Sequence, residues 1–366
     1  MIFSVERAAL LDVVNKMQRI VGAKTSMPVL EGILISAEQG KITLISYNLE
    51  MGMKKDLYAK CDEEGDIVIN ARLLGDILRK MNGLQVEISA DDKLNCHIKS
   101  GEATFNIMGM AASDFPEMPS VDEGNKFSVD GKLLSEMVKG TIFSTAQTEA
   151  AKPILTGIYV SVENGNIQLV AVDGFRLAIR KEKVNIGGVF SFIVSGKAFG
   201  EVVKLIDENT EEVGINAGSR LISFEINGYK FISRLLEGEF VNYDKVIPAG
   251  HTQRVVVNTR ELIDTIERVS LLITEFFSTP VRCYFNEHSV VFTTATAMGR
   301  ATETFNTELE GESFEIGINS RHLLEALKAT ETEKVEILFN GVKSGIVINP
   351  ENGEDFKYMT MPMRIK

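Results

Sequence analysis

The sequence predicts an α+β fold of three tandem domains, each with two helices packed on antiparallel sheets. Three observations predict it. A strand–helix unit recurs six times at near-equal spacing, short alternating runs fill the intervals, and Pro-bearing stretches follow every second unit. Residues 127–140, FSVDGKLLSEMVKG, are the clearest copy. Phe127, Ser128 and Val129 alternate as a strand end does, Asp130 suits a helix start, and Gly140 suits the position just past a helix end. On a helical wheel Leu133, Leu134, Met137 and Val138 form an apolar face. Lys132 and Lys139, seven apart, fall nearly in line on the opposite pole.

In chain order, the first copy is the loosest: residues 2–17 hold Lys16 with Leu10, Leu11, Val14 and Met17. Residues 68–81 carry Arg72 and Arg79 seven apart, with Leu73, Leu74, Ile77 and Leu78 in the apolar slots. After the 127–140 copy, residues 192–206 carry Lys197 and Lys204 with Ala198, Phe199, Val202 and Val203. Residues 255–268 have Arg260 and Arg268 eight apart, and residues 314–328 have Arg321 and Lys328 with Leu323, Ala326 and Leu327. The bases that open the six helices, Arg7, Arg72, Lys132, Lys197, Arg260 and Arg321, are separated by 65, 60, 65, 63 and 61 residues.

Alternating runs such as 33–36, 41–46, 95–100, 103–108, 158–162, 167–172, 221–226 and 230–235 read as strands. Asn164–Gly165 and Asn227–Gly228 favour tight hairpin turns. Pro-bearing stretches at 114–119 and 243–248, with Pro362 near the last residues, set expected domains at 1–121, 122–249 and 250–366.

The 366 residues suit two or three domains, and composition is that of a soluble globular protein. No signal peptide or long apolar run is recognised, so a cytoplasmic protein without a membrane partner is expected. Cys61, Cys96 and Cys283 are odd in number and far apart, and read as reduced thiols. A net charge of −12 excludes a protein that coats nucleic acid by overall attraction. His97, His251, His288 and His322 lack ligand-spaced partners, and no Gly-rich phosphate loop or nucleophile elbow appears. The expectation is therefore no enzyme, no cofactor and no metal.

The opening MIFSVERAALL, SMPVLEGILI around Pro28, the DFP at 114–116, VAVDGFRLAIR around 173–176 and the closing MPMRIK carry a whole-chain resemblance. At these motifs the sequence resembles the bacterial DNA polymerase III β subunits, the sliding clamps. The resemblance implies three clamp-type domains per subunit and two subunits closing head to tail into a ring around duplex DNA. Helix width agrees: six helices ~10 Å wide leave a hole of only ~10 Å, whereas twelve leave ~28 Å. B-DNA is roughly 20 Å across and passes only the doubled ring.

The resemblance also implies sites. Arg72, Arg79, Lys132, Lys139, Lys197, Lys204, Arg260, Arg268, Arg321 and Lys328 would face the hole, with Lys24 at a further DNA-touching position. Acids Asp76, Glu136, Glu201, Asp264 and Glu325, four after the leading base, soften that seam into a weakly positive lining. Leu155, Val172, Gly174, Phe175, Arg176, Leu177, Val241, Lys245, Val246, Met359, Met361, Pro362, Met363 and Arg364 match a hydrophobic groove. There the polymerase III catalytic subunit, the clamp loader and other polymerases and repair proteins would dock through short linear motifs. The family usually has His at Phe175, Pro at Val241 and Arg at Lys245. Phe105 and Ile107, opposite Leu271, Leu272 and Ile273, match the subunit contact. A non-catalytic repeat scaffold that binds only proteins is the alternative that the same repeats allow.

Overall fold

The computed structural model describes residues 1–22, 26–148, 151–275 and 279–365. Six helices alternate with antiparallel strands: α1 (Arg7–Met17), α2 (Ala71–Lys80), α3 (Gly131–Ile142), α4 (Gly196–Leu205), α5 (Thr259–Val269) and α6 (Ser320–Lys328). Polar side chains just ahead of the helices start four of them. Asn70 accepts from Leu73 N–H, Ser195 from Ala198 N–H, Asn258 from Glu261 N–H and Asn319 from Arg321 and His322 N–H, all at 3.0–3.2 Å. Gly140 does not end α3, which runs on to Ile142. A Cβ there would meet Arg180 Cγ at 2.9 Å and Tyr358 Oη at 3.1 Å, so the glycine serves close packing rather than termination.

The chain forms two compact units, Met1–Lys132 with Glu201–Leu235, and Leu133–Gly200 with Leu236–Lys366. The first holds a five-stranded sheet in the order Lys60–Glu63, Ile2–Glu6, Gln85–Ala90, Asn95–Ser100, Ala103–Met108. It also holds an eight-stranded sheet in which Tyr229–Arg234 pairs antiparallel with Met51–Tyr58. The second unit holds a nine-stranded sheet in which Arg176–Lys183 pairs with Phe356–Thr360. Its four-stranded sheet runs Gly299–Asn306, Ser289–Thr296, Val281–Asn286, Phe314–Ile318. Asn164–Gly165 and Asn227–Gly228 both have positive φ, as tight hairpins require.

Each third of the chain carries two strand–helix–three-strand repeats, with a short added strand at Lys60–Glu63 in the first and Leu309–Glu310 in the last, and α5 and α6 bury their apolar sides with Phe285, Phe292, Phe339 and Tyr358 in one core. The expected apolar faces hold in the main, with Leu133 of α3 and Val203 of α4 only half-buried at their margins. Leu73 is exposed, because the stripe of α2 centres on Leu74, Ile77 and Leu78, and in α1 Val13 is buried where Leu11 is only half-buried. Strands Met51–Tyr58 and Phe356–Thr360 go unrecognised in the sequence, since adjacent lysines in MGMKKDLY and the short FKYMT break clean alternation.

Arg7 opens α1 but differs from the other leading bases. It is half-buried, and its Nε donates to Gly83 O at 2.9 Å and Nη1 to Leu78 O at 3.0 Å. It satisfies carbonyls at the end of α2, where a cation is favoured. Arg7→Met should cost about 2 kcal/mol in urea unfolding, whereas exposed Arg72→Met should change stability by less than about 0.5 kcal/mol.

Candidate nucleic-acid interface and partner groove

The sequence-predicted bases of α2 to α6 all lie on exposed faces. Most are held by acids, though not always in the expected pairing. Arg79 bonds Asp76 and Lys204 bonds Glu201, each at 2.7 Å, so in α2 and α4 the acid serves the trailing base. Arg260 pairs Asp264 at 3.1 Å and Arg321 pairs Glu325 at 3.0 Å, as the four-residue spacing predicts. Arg268 pairs Glu303, and Lys328 pairs Glu267 at 2.5 Å. Arg72, Lys139 and Lys197 have no ion pair among the described residues. Lys24 lies outside the described residues. Exposed pairs of this kind are worth ~1 kcal/mol or less and exchange readily with another anion.

Of the predicted groove residues, Leu177, Met359, Val172 and Met361 share one apolar cluster of the second unit, whereas Met363 bridges to Gly317 of the four-stranded sheet. Leu177, 1% exposed, and Met359, 4% exposed, are register partners and form the floor with Val170 and Val347. Val172 and Met361 pack against that floor. Phe175 is 62% exposed and Val246 is exposed, while Leu155, Val241, Pro362 and Met363 are half-buried and Lys245 and Arg364 are exposed. The sequence reading missed one wall: Tyr159 stacks on Phe240 with centroids 5.0 Å apart, and Tyr243 packs on both at 6.5 Å. Gln168 Nε2 donates to Tyr243 Oη at 2.6 Å, and burial raises that phenol's pKa.

A built turn presents Phe175. Asp173 Oδ1 accepts from Phe175 N–H at 2.9 Å and Arg176 N–H at 3.0 Å, and Gly174 takes φ 95° with open space around it. Met361 N–H donates to Phe175 O at 2.7 Å, tying the tail to the turn. Arg176 is 8% exposed; its guanidinium bonds Asp173 and Glu325 and lies over Phe143. Arg176 therefore positions the turn rather than lining the groove. The same turn exists at Asn48, whose Oδ1 accepts from Glu50 and Met51 N–H with Leu49 at φ 73°. The signal was available: Pro28 and Pro153, Asn48 and Asp173, and Phe115 and Phe240 are each 125 residues apart.

Of the predicted contact residues, Leu271 is 80% exposed, Leu272 is half-buried and Ile273 belongs to the core of its own unit. Leu272 Cδ1 lies 3.8 Å from the Cβ position of Gly299, at the start of the edge strand Gly299–Asn306. Phe105 is exposed and Ile107 half-buried on Ala103–Met108, the edge strand of the first unit's five-stranded sheet. Among the described residues no cluster of three or more His, Cys, Asp or Glu could hold a metal, and no helix is long and apolar enough to cross a membrane.

Family models described as the N-terminal, central and C-terminal domains of the DNA polymerase III beta subunit match residues 1–119, 128–242 and 244–364. The beta sliding clamp of Halalkalibacterium halodurans is 30% identical over 379 residues, covering 99% of each chain. The DNA polymerase sliding clamp structure from Bacillus subtilis matches with TM-score 0.95 and 27% identity over 100% of both chains. A Thermotoga maritima DNA polymerase III beta subunit structure matches with TM-score 0.92, also at 27% identity and full coverage of both.

Removing the Arg176 guanidinium strands Asp173 and Glu325, so Arg176→Met should destabilise by about 3–5 kcal/mol and speed amide exchange across 173–177. Burial and the nearby Arg176 charge lower the His322 pKa, whereas the Glu308 hydrogen bond raises that of His288. In a proton NMR titration His322 should titrate below about 6.5 and His288 above it. For His322 the sign is fixed: its neutral form suits the fold, so its contribution is present above about 6.5 and is lost as pH falls below it.

Proposed function

The chain belongs to the DNA polymerase III beta subunit family, and from that premise we propose how it works as a DNA sliding clamp. One observation carries the reading. The strand after the turn at Asn48, Met51–Tyr58, pairs with the last strand of the next third, Tyr229–Arg234. The strand after the turn at Asp173, Arg176–Lys183, does the same with Phe356–Thr360. A third, weaker version of the turn, where Thr296 Oγ1 accepts from Met298 N–H at 3.1 Å, precedes Gly299–Asn306, whose outer edge is unpaired. The matching last strand of the first third, Ala103–Met108, is also an open edge. Repeating the rule a third time needs a second copy, and each copy supplies the edge that the other lacks. Phe105 and Ile107 against Leu271 and Leu272 would close that joint; Ile273 would act from within its own core.

The functional domains are 1–121, 122–249 and 250–366. In the ring Arg72, Arg79, Lys132, Lys139, Lys197, Lys204, Arg260, Arg268, Arg321, Lys328 and Lys24 face duplex DNA. Phosphates compete there with Asp76, Glu201, Asp264, Glu303 and Glu325, so contacts are weak, salt-sensitive and blind to sequence. The groove from Leu155 to Arg364 takes short linear motifs of the polymerase III catalytic subunit, the clamp loader and repair proteins. Its half-buried methionines repack for different partners. The clamp does no chemistry of its own and acts in the cytoplasm. It raises the local concentration of a tethered polymerase at the primer end.

The decisive test loads the protein on nicked circular DNA with a clamp loader and ATP, then linearises the circle. Retention should be lost on cutting; retention that survives cutting contradicts encirclement, and no retention on the circle favours a protein-only scaffold. Leu271→Ala with Leu272→Ala should halve the mass measured by light scattering.

A further inference from the structure

The face that carries the groove does not stop at Met359. Lys357 lies two residues before Met359 on one strand, and Asn349 lies two after Val347 on its neighbour, so both pairs share a side of the sheet. Val347 opposes Met359 and Ile348 opposes Tyr358, which puts Asn349 and Lys357 one position further along the same ladder. That is about 7 Å from the groove floor, the rise of two extended residues.

A cavity of about 160 Å³ opens at this place. Three of its walls, Ile247, Leu338 and Val347, also belong to the apolar cluster under the groove, so the two are continuous. Its polar lining includes His251, Asn349 and Lys357. The volume is close to that of a cavity that takes one ring-sized group and well below the ~300 Å³ of a cofactor site.

Lys357 is the one formal charge among the residues that line the cavity. Lys357 is half-buried and has no ion pair among the described residues. The nearby carboxylate, Glu336, is already engaged: Asn349 Nδ2 and Arg254 Nε each donate to it at 2.9 Å. Asn349 Nδ2 is thus committed to Glu336, and its Oδ1 is buried with no hydrogen-bond partner among the described residues.

We propose that the cavity at Asn349 and Lys357 is an acidic-side-chain pocket that extends the partner groove. It receives an Asp or Glu of the docked peptide, two or three residues from the apolar side chain seated on Met359. Lys357 meets the carboxylate and His251 adds a ring N–H. The proposal rests on the groove reading of the preceding subsection.

The test uses two pools of synthetic octapeptides with a fixed central Leu-Phe pair, one with Asp and one with Asn randomised through the flanks. The immobilised full-length protein selects from both, and mass spectrometry quantifies what is retained. Wild type should enrich Asp over Asn about five-fold at one flanking distance, and ~1 M salt should erase the ratio. Lys357→Met should bring the ratio to one while still retaining Leu-Phe peptides; Phe175→Ala should weaken both pools alike. Equal retention of Asp and Asn peptides by wild type, or a ratio unchanged in Lys357→Met, overturns the pocket and leaves the groove standing. Retention of neither pool overturns the groove and the pocket with it. Retention of acidic peptides that lack Leu-Phe shows a free-standing anion site and overturns the extension.

Discussion

Pairing of sheet edges between successive thirds of the chain is the constraint on which the rest depends. A strand edge left open exposes a row of unmatched N–H and C=O groups. Met51–Tyr58 and Arg176–Lys183 resolve theirs by pairing with Tyr229–Arg234 and Phe356–Thr360. The second of these pairings also builds the groove, since it sets Leu177 beside Met359 and brings the turn at Asp173 to the tail. Sheet continuity across successive thirds and the apolar cluster beside the turn at Asp173 are therefore consequences of one hydrogen-bonding rule.

The electrostatics are consistent with a protein that stays on DNA without gripping it. Its net charge of −12 repels a polyanion at a distance. The helix bases that could attract phosphate are mostly engaged by acids one turn away or on a neighbouring strand. At the paired bases an incoming phosphate would have to displace a carboxylate, so the gain per contact there would be small. Topological retention and weak local contact are complementary: a closed ring has no need of strong contact, and strong contact would oppose sliding.

Arg176 shows how a buried side chain can hold a turn at the rim of an apolar cluster. Its charge is spent on Asp173 and Glu325, and its plane lies over Phe143. The outcome is a fixed turn that leaves Phe175 exposed while the neighbouring Leu177 is part of the floor. Glu325 is shared with Arg321, so the acid that steadies the groove also restrains a base of the helix seam.

Much was legible in the linear order of residues. Apolar spacing on six helices and the near-constant interval between copies fix element types and their repetition, because these depend on local periodicity. The strands at 51–58 and 356–360 were not legible, because their identity comes from partners far away in the chain rather than from alternation. The same holds for the burial of Arg176 and the structural use of Arg7. The sequence by itself determined which residues are amphipathic and how often the unit recurs. Only the tertiary structure decided which edges are satisfied, how Arg176 and Arg7 are used and which apolar side chains remain open, since these are settled by neighbours on other elements.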